Sequence, residues 1–166
     1  RERVIAEFDG NIGGQVQFEL EVELDNADNY RSVVELHGLT LIDEQIAAEL
    51  ARCNARLQEI TALGDGWDDE NSRAISASAY QAAVAFLHKR PVMSSLYKIF
   101  PTSDGGVLFE FEKNGWDLSV EFSPGGGVEF FGIEVNGDGD FLPFHFDGVN
   151  AHFIEQFDKR VGRDGK

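Results

Sequence analysis

The stretch Gly105-Gly106-Val107-Leu108-Phe109-Glu110-Phe111-Glu112-Lys113-Asn114-Gly115-Trp116-Asp117-Leu118-Ser119-Val120-Glu121-Phe122 decides the fold. Asn114-Gly115 at its centre is the signal of a two-residue type I′ hairpin, which needs positive φ at both central residues. Counting outward pairs Phe111 with Leu118, Phe109 with Val120 and Val107 with Phe122, while Glu112 meets Asp117 and Leu108 meets Glu121. One side of this ladder is apolar throughout and the other is mostly carboxylate. A slip by one residue would turn the acids into the core, so the register is specified by the pattern itself. The prediction is an antiparallel hairpin with one buried and one wet face.

Downstream, Ser123-Pro124-Gly125-Gly126-Gly127 turns the chain into a strand over Val128 to Val135. Its alternation slips at Phe130-Phe131-Gly132, as a β-bulge requires. Asn136-Gly137-Asp138-Gly139 turns again, and Phe141 to Phe146 is a last strand that Pro143 marks as an edge. A short helix over Ala151 to Arg160, with Phe153, Ile154 and Phe157 inward, closes the chain. Upstream, Val4 to Phe8 and Gln15 to Leu24 read as strands. In the second of them Val16, Phe18, Leu20, Val22 and Leu24 alternate with Gln15, Gln17, Glu19, Glu21 and Glu23. Asp25 to Asn29 reads as a turn and Tyr30 to Leu36 as a third strand.

Between the strand groups lie two helices. Thr40 is the expected cap of the first, with Asp43 and Glu44 in its first turn and Ile42, Ile46, Leu50, Cys53, Leu57 and Ile60 along one seam; Gly64 is the expected stop. Ser72 is the expected cap of the second, which carries Ile75, Ala79, Ala82 and Phe86 inward and ends before Pro91. The predicted architecture is α+β, with an antiparallel sheet of five or more strands, the helix hairpin on one face and a short C-terminal helix. We read one domain over 1–166, made of a β-meander (1–38), the helix hairpin (39–90), antiparallel hairpins (91–148) and a C-terminal helix and tail (149–166). Phe18, Leu20, Ile46, Leu57, Phe86, Phe109, Phe111 and Val120 are expected to share one core. Gly13-Gly14-Gln15-Val16, Gly105-Gly106-Val107 and Gly126-Gly127-Val128 share a small grammar that hairpin-turn preferences explain without an internal duplication.

The 166 residues carry 30 acidic against 14 basic side chains, a formal charge of −16. Such a surface repels phosphate backbones and anionic lipid, so direct nucleic-acid and membrane binding are not expected. The single cysteine, Cys53, and the lack of a charged-then-apolar leader point to the cytoplasm. The opening Arg1-Glu2-Arg3, without methionine, leaves an upstream segment open.

The segment Gly66-Trp67-Asp68, then Ser72, Ala74-Ile75, Ala79 and Phe86-Leu87, followed by Asp104-Gly105-Gly106-Val107 with Phe109-Glu110-Phe111 and Leu118-Ser119-Val120-Glu121, resembles a group of small uncharacterised bacterial domains. That group has a Gly-Trp-Asp loop before a helix and an Asp-Gly-Gly β-hairpin. The resemblance covers about residues 56–135 and departs at Phe109-Glu110-Phe111, where the group prefers Leu-Glu-Trp. It implies the fold and no reaction, and it suggests an accessory protein of a bacterial defence or toxin–antitoxin type locus.

No nucleophile elbow or phosphate-binding loop is present, and Cys53 lies on an apolar helix seam where thiols are inert. The loop between the helices carries Asp65, Asp68, Asp69 and Glu70 around Trp67. These acids either hold a cation, as a metal-dependent hydrolase would need, or cap and pack the start of the second helix. His145, Asp147 and His152 are a weaker metal set near the C-terminus. Asn136 to Asp140 imitates the start of a calcium loop but has Phe141 where the required glycine belongs. The concentrated feature is acid on strand faces. Glu19, Glu21, Glu23, Glu110, Glu112, Asp117 and Glu121, together with Trp67, are the expected partner-binding residues. The expected function is a non-catalytic, inhibitor-like module that binds a basic protein without a cofactor. A nucleic-acid mimic is a sharper version of that reading, the metal-dependent hydrolase is its rival, and a homo-oligomer is compatible with either.

Overall fold

The computed structural model describes residues 2–8, 16–22 and 27–162, with side chains described from Asp43 to Gly162, Leu142 apart. The chain divides into two compact units between Ala48 and Glu49. In the first, β1 (Glu2–Phe8) and β2 (Val16–Val22) form an antiparallel ribbon in which Ile5 stands opposite Glu19 and Arg3 opposite Glu21. This ribbon is a sheet of its own, separate from the C-terminal strands. Helix α1 (Ala27–Thr61) starts well before Thr40 and ends three residues before Gly64. Tyr30 to Leu36 is therefore helix and not a third strand, and the meander expected over 1–38 is a two-stranded ribbon followed by helix. Val33, Leu36, Leu39, Ile42 and Ile46 recur at three- and four-residue spacings, and Gly38 alone costs only about 1 kcal/mol in a helix interior.

The second unit holds the five-stranded sheet β3 (Lys98–Pro101), β4 (Val107–Lys113), β5 (Trp116–Phe122), β6 (Val128–Glu134) and β7 (Asp140–Phe146), antiparallel and in sequence order. The hairpin register is the one counted from Asn114-Gly115, down to Glu112 opposite Asp117. Asn114 and Gly115 have φ of 53° and 78°, as the type I′ turn demands. The β6–β7 register shifts between Phe130 and Gly132, where a bulge was expected, but β6 keeps its alternation against β5 and the extra residue is on β7, since Phe130 stands opposite Phe144 and Gly132 opposite Phe141. Strand β7 with its Pro143 is the expected edge.

Helix α2 (Ala77–Lys89) and helix α3 (Ala151–Val161) complete the unit. The α2 cap is Ser76 and not Ser72: the Ser76 hydroxyl accepts from Ala79 N and donates to Pro124 O. The turns before β4 and before β6 share one hydrogen-bond pattern, Thr102 N to Gly106 O with Gly105 N to Thr102 O, and Ser123 N to Gly127 O with Gly126 N to Ser123 O. Both seat against the start of α2. Gly105 has φ +93°, its carbonyl accepts from Ser76 N, and a Cβ there would lie 2.7 Å from Ala74 O. The recurrent Gly-Gly-Val grammar therefore has a local reason at these two sites: both conformation and approach demand glycine at Gly105, and the positive φ of +87° favours it at Gly126. The third occurrence, at Gly13-Gly14, lies outside the described residues.

The core is the inner sheet face against the helices. Ile99, Val107, Phe109, Phe111, Leu118, Val120, Phe122, Val128 and Phe130 meet Cys53, Leu57 and Ile60 of α1, Ala79, Ala83, Phe86 and Leu87 of α2, and Phe153, Phe157 and Val161 of α3. Ala79 and Ala83 let α2 approach closely, which leaves Phe86 at the centre of five rings. Of the expected core, Leu57, Phe86, Phe109, Phe111 and Val120 are in place, while Ile46 is half-buried and falls in the first unit. Phe18 and Leu20 stand in β2, and their side chains lie outside the described residues. Arg52 donates to Ser94 O and Tyr97 O, and Arg56 to Ile99 O, so two α1 guanidiniums satisfy carbonyls of β3 and of the chain leading into it. At the far end, Arg160 lies over the rings of Phe141 and Phe144, 5.0 and 5.1 Å from their centres.

Candidate functional site

Strand geometry sends alternate side chains to opposite faces, and here all three helices take one face. The other face is set out in three rows by the cross-strand register. Phe100, Leu108, Glu121, Glu129 and His145 form the first, and Lys98, Glu110, Ser119 and Phe131 the second. Glu112, Asp117, Ile133 and Asp140 form the third. The open face thus gathers Glu110, Glu112, Asp117 and Glu121 as the sequence predicted, and adds Glu129 and Asp140. It also carries an apolar component that the sequence reading missed: Phe100 and Ile133 are 39% and 55% exposed, and Leu108 and Phe131 are half-buried. In Phe130-Phe131-Gly132-Ile133 the unbroken alternation of β6 against β5 is what turns Phe131 and Ile133 outward.

The acids differ in their surroundings. Glu129 pairs with His145 at 3.1 Å. Glu110 stands opposite Lys98, whereas Lys113 stands opposite Trp116, one position out of phase with the acids. Glu112 and Asp117 face each other and make no ion pair among the described residues. Glu121 is half-buried, and that partial burial first, then Asp104 and Glu129, raises its pKa above the ordinary carboxylate value. A raised folded-state pKa means that the native state binds a proton the unfolded chain has already lost. Stability therefore falls as pH rises from the unfolded value through the folded one. Glu121→Gln is expected to raise the melting temperature at neutral pH and to lose that advantage below about pH 4, where both forms are protonated. Melting curves of parent and variant across this range check the sign; parallel curves at every pH would refute it.

A shallow pocket of about 360 Å³ opens on this face, with Lys98, Glu110, Glu112, Asp117, Phe131 and Ile133 in its lining.

The inter-helix loop is built differently. Asp65 accepts from Ala74 N, and Asp69 accepts from Asn71 N and Ser72 N. The buried Ser72 hydroxyl accepts from Asp68 N and Asp69 N and donates to Asp69 O. Asp68 and Asp69 therefore do not cap α2; the loop is tied to itself, and Ser72 is its knot. Trp67 is half-buried and donates through Nε1 to Arg73 O at 3.1 Å, so its polar end is already used. Glu70 is exposed. His145 is on the open face with Glu129, whereas His152 meets the ring of Phe146 edge-on at 5.4 Å, on the core side of β7. The structure does not bring His145, Asp147 and His152 together. Among the described residues no three His, Cys, Asp or Glu side chains form a group able to hold a metal. Glu19 and Glu21 lie on β2, in the other unit, and Glu23 is outside the described residues.

Cys53 is fully buried, which raises its thiol pKa, and its sulfur lies 3.4 Å from Ser94 O. Among the described residues no helix is long and apolar enough to cross a membrane. Comparison with protein-family models, with curated proteins and with solved structures finds no match to this chain.

Proposed function

We propose that the protein is a non-catalytic interaction module whose open sheet face binds a basic protein partner. The observation that carries this is the register of β3 to β6. It places Glu110, Glu112, Asp117, Glu121 and Glu129 on one face with exposed apolar side chains between them. Apolar side chains flanked by charged ones match the core and polar rim of a protein interface, with Ile133, Phe131 and Phe100 as the core and the acids as the rim. The rival hydrolase reading draws no support from the loop, because Asp65 and Asp69 are engaged by backbone amides and the metal-binding geometry is missing from the acids around them. An accessory, inhibitor-like role in a bacterial defence or toxin–antitoxin type locus belongs to the same proposal, supported by the resemblance over about residues 56–135.

The test is a titration of isotope-labelled protein with an oligo-lysine peptide, followed by amide shifts. The expected result is salt-sensitive shifts concentrated on residues 98–133 of the open face. Shifts spread evenly over every acidic loop, or centred on residues 65–73, would sink the proposal.

A further inference from the structure

We infer that the pocket beside Glu112 and Asp117 receives one arginine side chain of that basic partner, a step that rests on the proposed function. Directly opposed residues of an antiparallel pair lie about 4.5–5.5 Å apart at Cα, so the two carboxylates stand side by side in the pocket lining. They repel each other, and neither is in an ion pair among the described residues. Lys98 stands opposite Glu110 in the neighbouring row, which leaves the Glu112–Asp117 pair as the point of entry for a cation. The lining beside that pair includes Ile133, which stands opposite Asp117, and Phe131, which stands opposite Ser119. An arginine matches both halves of this surface. Its planar fork offers donors to two carboxylates at once, its methylenes cover an aliphatic wall, and its guanidinium is weakly hydrated and tolerates an aromatic neighbour. A lysine ammonium is compact and strongly hydrated and fits the wall less well. A second copy of this chain is a poor occupant, because its own open face carries the same charge.

Two peptides of equal length and charge, oligo-arginine and oligo-lysine, separate the pocket from the face. The expected result is that oligo-arginine binds several-fold tighter and shifts the amides of Ser119, Phe131 and Ile133 most. Its advantage should vanish in Glu112→Gln/Asp117→Asn and in Ile133→Ser. Neither variant threatens the fold: Ile133 is more than half exposed, and the double variant removes a repulsion, so it should melt no lower than the parent. Equal affinity for both peptides, still mapped to the open face, would overturn the arginine pocket and leave the module standing. Binding without shifts on that face would overturn both. Self-association in sedimentation that Ile133→Ser abolishes would give the pocket to a second copy and also overturn the inference.

Discussion

Replacing Phe86 with alanine is expected to destabilise the second unit by about 3–5 kcal/mol, the range for truncating a fully buried phenylalanine. The upper half of that range is the better expectation. Phe86 is inaccessible to solvent and its ring centre lies between 5.0 and 5.7 Å from those of Tyr97, Phe109, Phe122, Phe153 and Phe157. These neighbours come from the sheet, from the segment before β3 and from α3, so no single element can shift to fill the void without pulling away from the others. Domains of this size are stable by roughly 5–15 kcal/mol in total, and a loss of this size lowers the melting temperature by on the order of 10 °C or more. Phe109→Ala should behave similarly, since Phe109 touches both Phe86 and Phe122. Phe100→Ala is the control: it removes a ring of the same size from the open face and is expected to cost about 1 kcal/mol or less. Denaturant melts of the three variants decide the matter. A Phe86→Ala protein within about 1 kcal/mol of the parent would mean that the ring cluster is not the centre of the core.

How much of this was legible beforehand depended on whether a residue's neighbours were local in sequence. The β4–β5 register followed residue by residue from Asn114-Gly115, because a two-residue turn leaves one pairing that keeps the acids out of the core. The edge character of β7 was legible for the same reason, since a proline has one local meaning, whereas Phe130-Phe131-Gly132 misled in part: β6 alternates without a break, and the register shift beside it comes from an extra residue in β7. Tyr30 to Leu36 misled because a short run with two valines fits either period and Gly38 reads as a boundary; only the three- and four-residue spacings that continue through Leu39, Ile42 and Ile46 favour helix. Strand β3 is four residues with a single fully buried side chain, Ile99, too little alternation to register as a strand. The loop acids were visible as a cluster, but what they do depends on Ala74 and Ser72 amides that the chain brings back through a turn. Side-chain oxygens at spacings of two, three and nine residues can be ligands or turn formers alike. The open face was half legible: its acids followed from the hairpin, whereas Phe131, Ile133 and Glu129 join them only through pairing with β6, on the far side of a five-residue turn.

The second large effect expected is on association with a basic partner. Glu110, Glu112 and Glu121 form a field of one sign over the open face, and such fields raise encounter rates by roughly 10- to 1,000-fold at low ionic strength. Replacing these three with glutamine is therefore expected to slow binding of an oligo-arginine peptide by about tenfold or more at low salt and to flatten the dependence of the rate on ionic strength. Dissociation should change less, since glutamine keeps the shape of the rim. Stability should hold or rise, because Glu121 is held partly out of water beside Asp104 and Glu129, and Glu112 faces Asp117. Glu19, Glu21 and Glu23 provide the contrasting triple, since Glu19 and Glu21 lie on the ribbon of the other unit. If the open face is the binding surface, this second set of glutamines should lower the rate only through the change in net charge, equal in the two triples, and leave the peptide's shift map where it was. Rapid-mixing rates for both triples at low and high salt, beside their melting curves, make the comparison. Equal slowing by the two triples would reduce the acids to a diffuse charge with no preferred face. An open-face triple that binds like the parent at every ionic strength would remove these carboxylates from recognition and leave Ile133, Phe131 and Phe100 as the residues on which any docking there depends.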